Sequence, residues 1–185
     1  MIEQNHKMST EVKNKNKEQQ FVEFVIKRCN QDKGFAARLR RADNPSTEYQ
    51  SWEILGPWIE LDQAWQRLPY ATVAAAIARS KAPKNGSLSL GRAIAFSYAE
   101  KSSTKDNDRV PARLRRLLSC NDVKEVCRVI RPILTLISSK IDQPLDYGKL
   151  LSELRYFGEK SKIRWVQDFY GYKKQDGQGG NAWIS

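Results

Sequence analysis

Arginine is the side chain with the most chemistry to offer in this sequence, and it is unevenly spread. Arg38, Arg40 and Arg41 crowd one short segment, Arg113, Arg115 and Arg116 a second, and Arg128 with Arg131 follow. A guanidinium presents a planar fork of N–H donors that suits phosphate oxygens, and it stays charged at physiological pH. On a helix Arg113 and Arg116 share a face at i,i+3, whereas Arg115 points elsewhere. The formal charge is +11, from 32 Lys and Arg against 21 Asp and Glu. Acidic partners therefore run out before the basic residues do. Arg40, Arg113 and Arg131 are candidates for structural ion pairs, and the surplus points to a polyanionic partner. The residues expected to meet phosphate are Arg38, Arg41, Arg92, Lys101, Arg113, Arg116, Arg128 and Arg131.

Side chains that usually carry catalysis are scarce. His6 is the only histidine, in an N-terminal stretch with almost no apolar content, so it is a poor general base or metal ligand. Without histidine, a serine or cysteine nucleophile lacks its usual base. Gly86 to Gly91 is spaced Gly-x-x-Ser-x-Gly, one residue off a nucleophile elbow, and no strand precedes it. No phosphate loop ending in Gly-Lys-Ser/Thr occurs. Asp106 and Asp108 lie between Lys105 and Arg109 in a polar loop and read as solubilising rather than metal-binding. Cys120 and Cys127, a heptad apart, read as small buried residues. The sequence predicts a protein that is not an enzyme and has no cofactor and no metal.

The elements that must position the arginines read as helices throughout, and the expected fold is all-α, a compact multi-helix bundle or two small helical lobes. Residues 1–17 are polar and lysine-rich and are expected to be a disordered tail, 18–172 the helical domain, and 173–185 a flexible tail. Helices are predicted over Phe21 to Cys29 and Phe35 to Ala42. Another lies around Trp52, with a Thr47/Gln50 capping box and a close at Gly56-Pro57. Asp62 to Ser80 follows with a break at Pro69. Pro111 opens a helix through Leu118, and Asp122 opens a long one that Pro132 should kink. Asp146 caps a helix ended by Gly158, and Ile163 to Tyr170 mark the last, with a loose tail after Gly171. Trp52, Trp58, Trp65, Trp165 and Tyr170 sit at helical spacings and read as core rather than as stacking platforms for bases. No apolar run approaches the ~20 residues that span a bilayer, so no membrane partner is expected and the chain reads as cytoplasmic.

One short string sharpens this. Ser89-Leu90-Gly91-Arg92-Ala93 reads as a serine N-cap and a helix whose first turn carries an arginine beside a glycine. Glycine there costs about 1 kcal/mol against alanine, which asks for a close backbone approach, by protein or nucleic acid, in return. Its companions, in order, are Ala37-Arg38-Leu39-Arg40-Arg41, the aromatic helix around Trp52 ending at Pro57, and Arg113 to Leu118. Leu145-Asp146-Tyr147 with Leu150-Leu151, and Trp165-Val166-Gln167-Asp168-Phe169-Tyr170, complete the series.

In this order and spacing, from Gly34 to Tyr172, the series resembles the CasB family, the small subunit of the type I-E CRISPR surveillance complex Cascade. The resemblance implies an all-helical, non-catalytic component present as a pair. Its implied partners are a second copy of itself, the backbone and large Cascade subunits, guide RNA and target DNA. It implies a basic surface that holds DNA and stabilises the R-loop. Two rivals remain on the sequence: a helix-turn-helix regulator built on Thr47 to Ser80, and a nuclease or nucleic-acid-modifying enzyme.

Overall fold

The structure, a computed structural model, describes residues 16–99 and 112–177, and among these the chain is helical with no named strand. Helix α1 (Lys17–Gln31) begins where the Asn16 side chain accepts the Gln19 N–H at 2.9 Å. It lays Phe21, Val22, Val25 and Ile26 on the core. Asp32 serves two helices: its N–H donates to the Arg28 carbonyl, and its carboxylate accepts the Phe35 N–H at 3.0 Å to open α2 (Lys33–Leu39). Gly34 therefore falls inside α2 rather than between helices.

The expected capping box at Thr47 does not form. The Thr47 hydroxyl donates instead to the Arg41 carbonyl at 3.0 Å, and Gln50 accepts from the Arg41 guanidinium at 3.5 Å. With the cap diverted to the preceding turn, the segment winds as a 3-10 helix, η1 (Glu48–Ser51), followed by one turn of α3 (Trp52–Leu55).

Helix α4 (Ala64–Ser80) is the hub, packed on α1, α2, α3 and two later helices. It runs through Pro69 without the expected break. That proline sits early in the helix and is buried, as is every residue from Pro69 to Ala78. Burial of this stretch offsets the one hydrogen bond the ring removes. Five alanines there keep the helix thin enough for neighbours to approach on all sides. Lys81 ends it in the left-handed conformation at φ 53°.

Helix α5 (Leu90–Ala99) follows a loop stitched to the start of a later helix. Gly86 N–H donates to the Leu145 carbonyl and Asp146 N–H to the Leu88 carbonyl, both at 2.9 Å, giving one isolated parallel bridge, Leu88 to Leu145. A Cβ on Gly86 would stand 1.8 Å from the Pro144 oxygen, so only glycine fits. Ser89 precedes α5 as expected, but its hydroxyl is buried without a hydrogen bond among the described residues and does not cap it.

Helices α6 (Ala112–Leu118) and α7 (Val123–Lys140) pack together, α7 running unbroken through Pro132. Asp122 caps α7 by accepting the Glu125 N–H at 2.7 Å, as the sequence predicts. Asp146 likewise caps α8 (Tyr147–Arg155), which ends at Arg155, before Gly158. Gly158 instead accepts from Lys162 at the start of α9 (Glu159–Gly177). That last helix passes Gly171 and continues to Gly177, where a loose tail was expected. The remaining tail residues, 1–15 and 178–185, lie outside the described residues, as do Pro111 and Lys101.

The buried apolar residues form a single continuous cluster from Phe21 to Phe169, one core rather than two lobes. Ion pairs at its margin tie distant segments together. Arg155 on α8 reaches the buried Glu18 on α1, and Arg79 on α4 grips Asp43 through both guanidinium nitrogens and the Arg40 carbonyl at 3.2 Å. The Arg40 side chain is exposed and forms no ion pair among the described residues, so the expected structural pairing of Arg40 is not found; only its carbonyl takes part.

Candidate nucleic-acid interface

Helix α6 is short and divided by burial. Leu114 and Leu117 are fully buried, which turns Arg113, Arg115 and Arg116 to solvent. On α7 the apolar stripe of Val126, Ile130, Ile133 and Ile137 leaves Lys124 and Arg128 exposed, four residues apart on one face. Arg131 lies three residues on but is half-buried, with its Nε covered and unpaired among the described residues; it belongs partly to the scaffold.

The elbow between α6 and α7 gathers these charges. Cys120 sits buried in it, its Sγ donating to the Arg116 carbonyl at 3.3 Å. Burial and the nearby Glu125 carboxylate push the Cys120 thiol up, while Lys162, Arg116 and Arg128 pull it back down. Arg116 on α6 and Arg128 on α7 therefore flank the same buried thiol. Glu125, the acidic member, is occupied by the Asn121 N–H at 2.9 Å. None of Arg113, Arg116 and Arg128 has a carboxylate within ion-pair distance among the described residues, so the expected structural pairing of Arg113 is not found there. Lys162 and Lys124 were not singled out in the sequence. The Lys162 ammonium lies over the Phe157 ring at 5.5 Å, and its charge is felt at the Cys120 thiol.

Arg38 and Arg41 form a separate patch. They are exposed at the end of α2 and in the turn after it, and α2 packs on α1, α4 and η1. The buried α4 lies between this patch and α7. Arg38 faces Glu53 at 3.6 Å. A solvated pair of this kind is worth about 0–1 kcal/mol and releases readily.

Arg92 is exposed on α5 beside Gly91. The close approach demanded by that glycine comes from protein: a Cβ there would lie 2.3 Å from the Trp165 carbonyl oxygen and 2.9 Å from the Phe169 nitrogen of α9. Gly91 seats α5 against α9, and Arg92 points away from that contact. Behind it, the buried Glu153 accepts the Trp165 indole N–H at 2.7 Å, and Lys149 bridges to Asp168 at 3.1 Å.

The aromatic residues divide. Trp165 is fully buried and Trp58 half-buried, as a core reading predicts, but Trp52 and Trp65 are exposed, at 40% and 44% of their surface. The long helix of the Thr47 to Ser80 region is α4, and from Pro69 to Ala78 it is buried, so only its first turn is open to solvent and most of its length has no free face to enter a groove. Among the described residues no cluster of His, Cys, Asp and Glu is arranged to hold a metal ion, and no helix is long and apolar enough to cross a membrane. All three cysteines are free, and burial pushes the thiols of Cys29 and Cys127 up to about 11 and about 12.

No curated protein matches the sequence. The fold is similar to a chain of a structure described as a CRISPR RNA-guided surveillance complex, with 21% identity, a TM-score of 0.66, and 89% of this chain and 99% of that one covered. It is similar to the crystal structure of M. ruber CasB at 23% identity and TM-score 0.66, covering 90% of this chain and 99% of that one. A surveillance complex in a pre-nicking state gives 22% identity and TM-score 0.64, with 88% and 98% covered. Residues 36–170 match the family of CRISPR-associated protein Cse2, in agreement with the CasB-like order of motifs along the sequence. The chain belongs to the CRISPR-associated protein Cse2 family.

Proposed function

We propose that this chain is a non-catalytic subunit of an RNA-guided CRISPR surveillance complex that holds DNA by its phosphates and so stabilises the R-loop. The observation that carries the reading is the α6–α7 elbow, where Arg113, Arg116 and Arg128 stand exposed without an acidic partner among the described residues. Arg38 and Arg41 supply a second basic patch, Arg92 a further exposed cation on α5, and Arg131 contributes through its exposed part. The neighbours described as surveillance complexes support the assembly, in which the backbone and large subunits, a second copy, guide RNA and target DNA are the partners.

Exchange of a DNA duplex for an RNA–DNA hybrid is nearly balanced in free energy, so a few phosphate contacts that favour the open state decide its direction. Such contacts carry no sequence information, and none is needed when the guide supplies it.

Replacing Arg113 and Arg116 together with alanine tests this. Each lost contact is expected to flatten the slope of log affinity against log salt by about 0.7 to 0.9, with the melting temperature preserved and guide selectivity unchanged. An unchanged slope with lowered stability would assign both arginines to the scaffold. Metal-dependent cleavage by the purified chain, abolished by substituting one of its own carboxylates, would overturn the non-catalytic reading.

A further inference from the structure

A groove of about 560 Å³ opens between α1, α2 and α3, well away from the α6–α7 elbow in the packing order. Its walls are aromatic. Phe24 meets Phe35 edge-on at 6.0 Å and tilts against Trp58 at 5.4 Å. Its rim carries two arginines and one carboxylate: Arg28 lies over the Phe35 ring at 5.2 Å, and Arg38 stands opposite the exposed Glu53.

We propose that this groove takes an unpaired nucleobase of single-stranded DNA or RNA, stacked on Trp58 and Phe24, with the flanking phosphates on Arg28 and Arg38. The argument is charge complementarity joined to shape. An aliphatic peptide side chain would fill the apolar floor but bring no anion to the two guanidinium groups, which are only partly balanced by the Asp32 and Glu53 carboxylates beside them. A nucleotide supplies a flat π-surface and an anion one bond path away, which is the pairing that single-strand grooves use. The volume lies in the range of small-molecule sites. Arg28 has no carboxylate within ion-pair distance among the described residues, and Arg38 gives up only a solvated partner. Tyr49 and Trp52, exposed on η1 and α3, extend the aromatic surface beyond the groove for a following base.

The proposal rests on the DNA-holding function above and adds to it a contact with bases rather than phosphates. The full chain is titrated with a thymidine oligonucleotide and with an abasic strand of equal length and charge. The base-bearing strand is expected to bind about tenfold tighter. A 5-iodouracil version is expected to photocrosslink within residues 24–58. Trp58→Leu should erase the difference, and since Trp58 also packs on Phe21, Pro57→Glu is the second variant, placing an anion with no stacking surface at the exposed rim. Equal affinity for both strands, with no crosslink in that segment, overturns the groove and leaves the phosphate reading intact. Failure of both strands to bind overturns both. Crosslinks in that segment that persist undiminished in Pro57→Glu also exclude the groove.

Discussion

Glu153 is a carboxylate with little reason to be where it is unless its partners are counted. It is 4% exposed, accepts from the Trp165 indole at 2.7 Å, and lies 4.0 Å from the Lys149 ammonium. Its second oxygen is buried without a hydrogen bond. Burial pushes its pKa above the ordinary carboxylate value, and the Trp165 hydrogen bond and the Lys149 charge only partly offset this. A carboxylate with a raised pKa in the folded state contributes fully below its unfolded value, near ~4.3, and loses that contribution as pH rises through the folded value. Glu153→Gln keeps an acceptor for Trp165 and removes the titration. The native chain is therefore expected to lose stability relative to E153Q between about pH 4 and about pH 7, read from urea midpoints at both. A difference that is flat with pH would mean the carboxylate is not held this way.

The contact between α5 and α9 turns on one missing methyl group. Gly91→Ala would set a carbon against the Trp165 carbonyl oxygen and the Phe169 nitrogen, both backbone atoms that cannot swing aside. The expected cost is about 1–3 kcal/mol, a melting temperature lower by roughly 2–12 °C. An unchanged melting temperature would mean that the two helices do not approach so closely. The sequence pointed to a close approach at Gly91 but not to its partner, because nothing local in Ser89 to Ala93 encodes Trp165. Where the signal was local, the expectation agrees with the structure: Asp122 and Asp146 cap their helices. Where tertiary burial outweighed local preference, it does not. Pro69 is carried inside α4 by the core around it, and Thr47 gives its hydroxyl to Arg41 instead of to a helix start. The aromatic groove was illegible because it depends on how α1, α2 and α3 pack together, which no local pattern in those segments encodes.

For the whole molecule, the surplus of 11 positive charges acts on stability and on binding with opposite signs. Like charges crowded on one fold repel, and salt screens them over a Debye length that is ~10 Å at 0.1 M. Raising sodium chloride from low to moderate concentration is expected to raise the melting temperature while weakening DNA binding. Both falling together would show that the ion pairs of the fold outweigh the repulsion. The pairing of Glu18 with Arg155 has a further consequence, in the time it takes to make the protein. The two residues are 137 positions apart, so at ~5–20 residues per second α1 waits about 7–27 s on the ribosome for its partner on α8. Through that interval a buried-type carboxylate and the apolar stripe of Phe21, Val22 and Val25 lack part of their final cover. A nascent chain ending at Gln143 is therefore expected to be cut by protease at rates near those of an unfolded chain, and its resistance would show that the first seven helices fold without waiting.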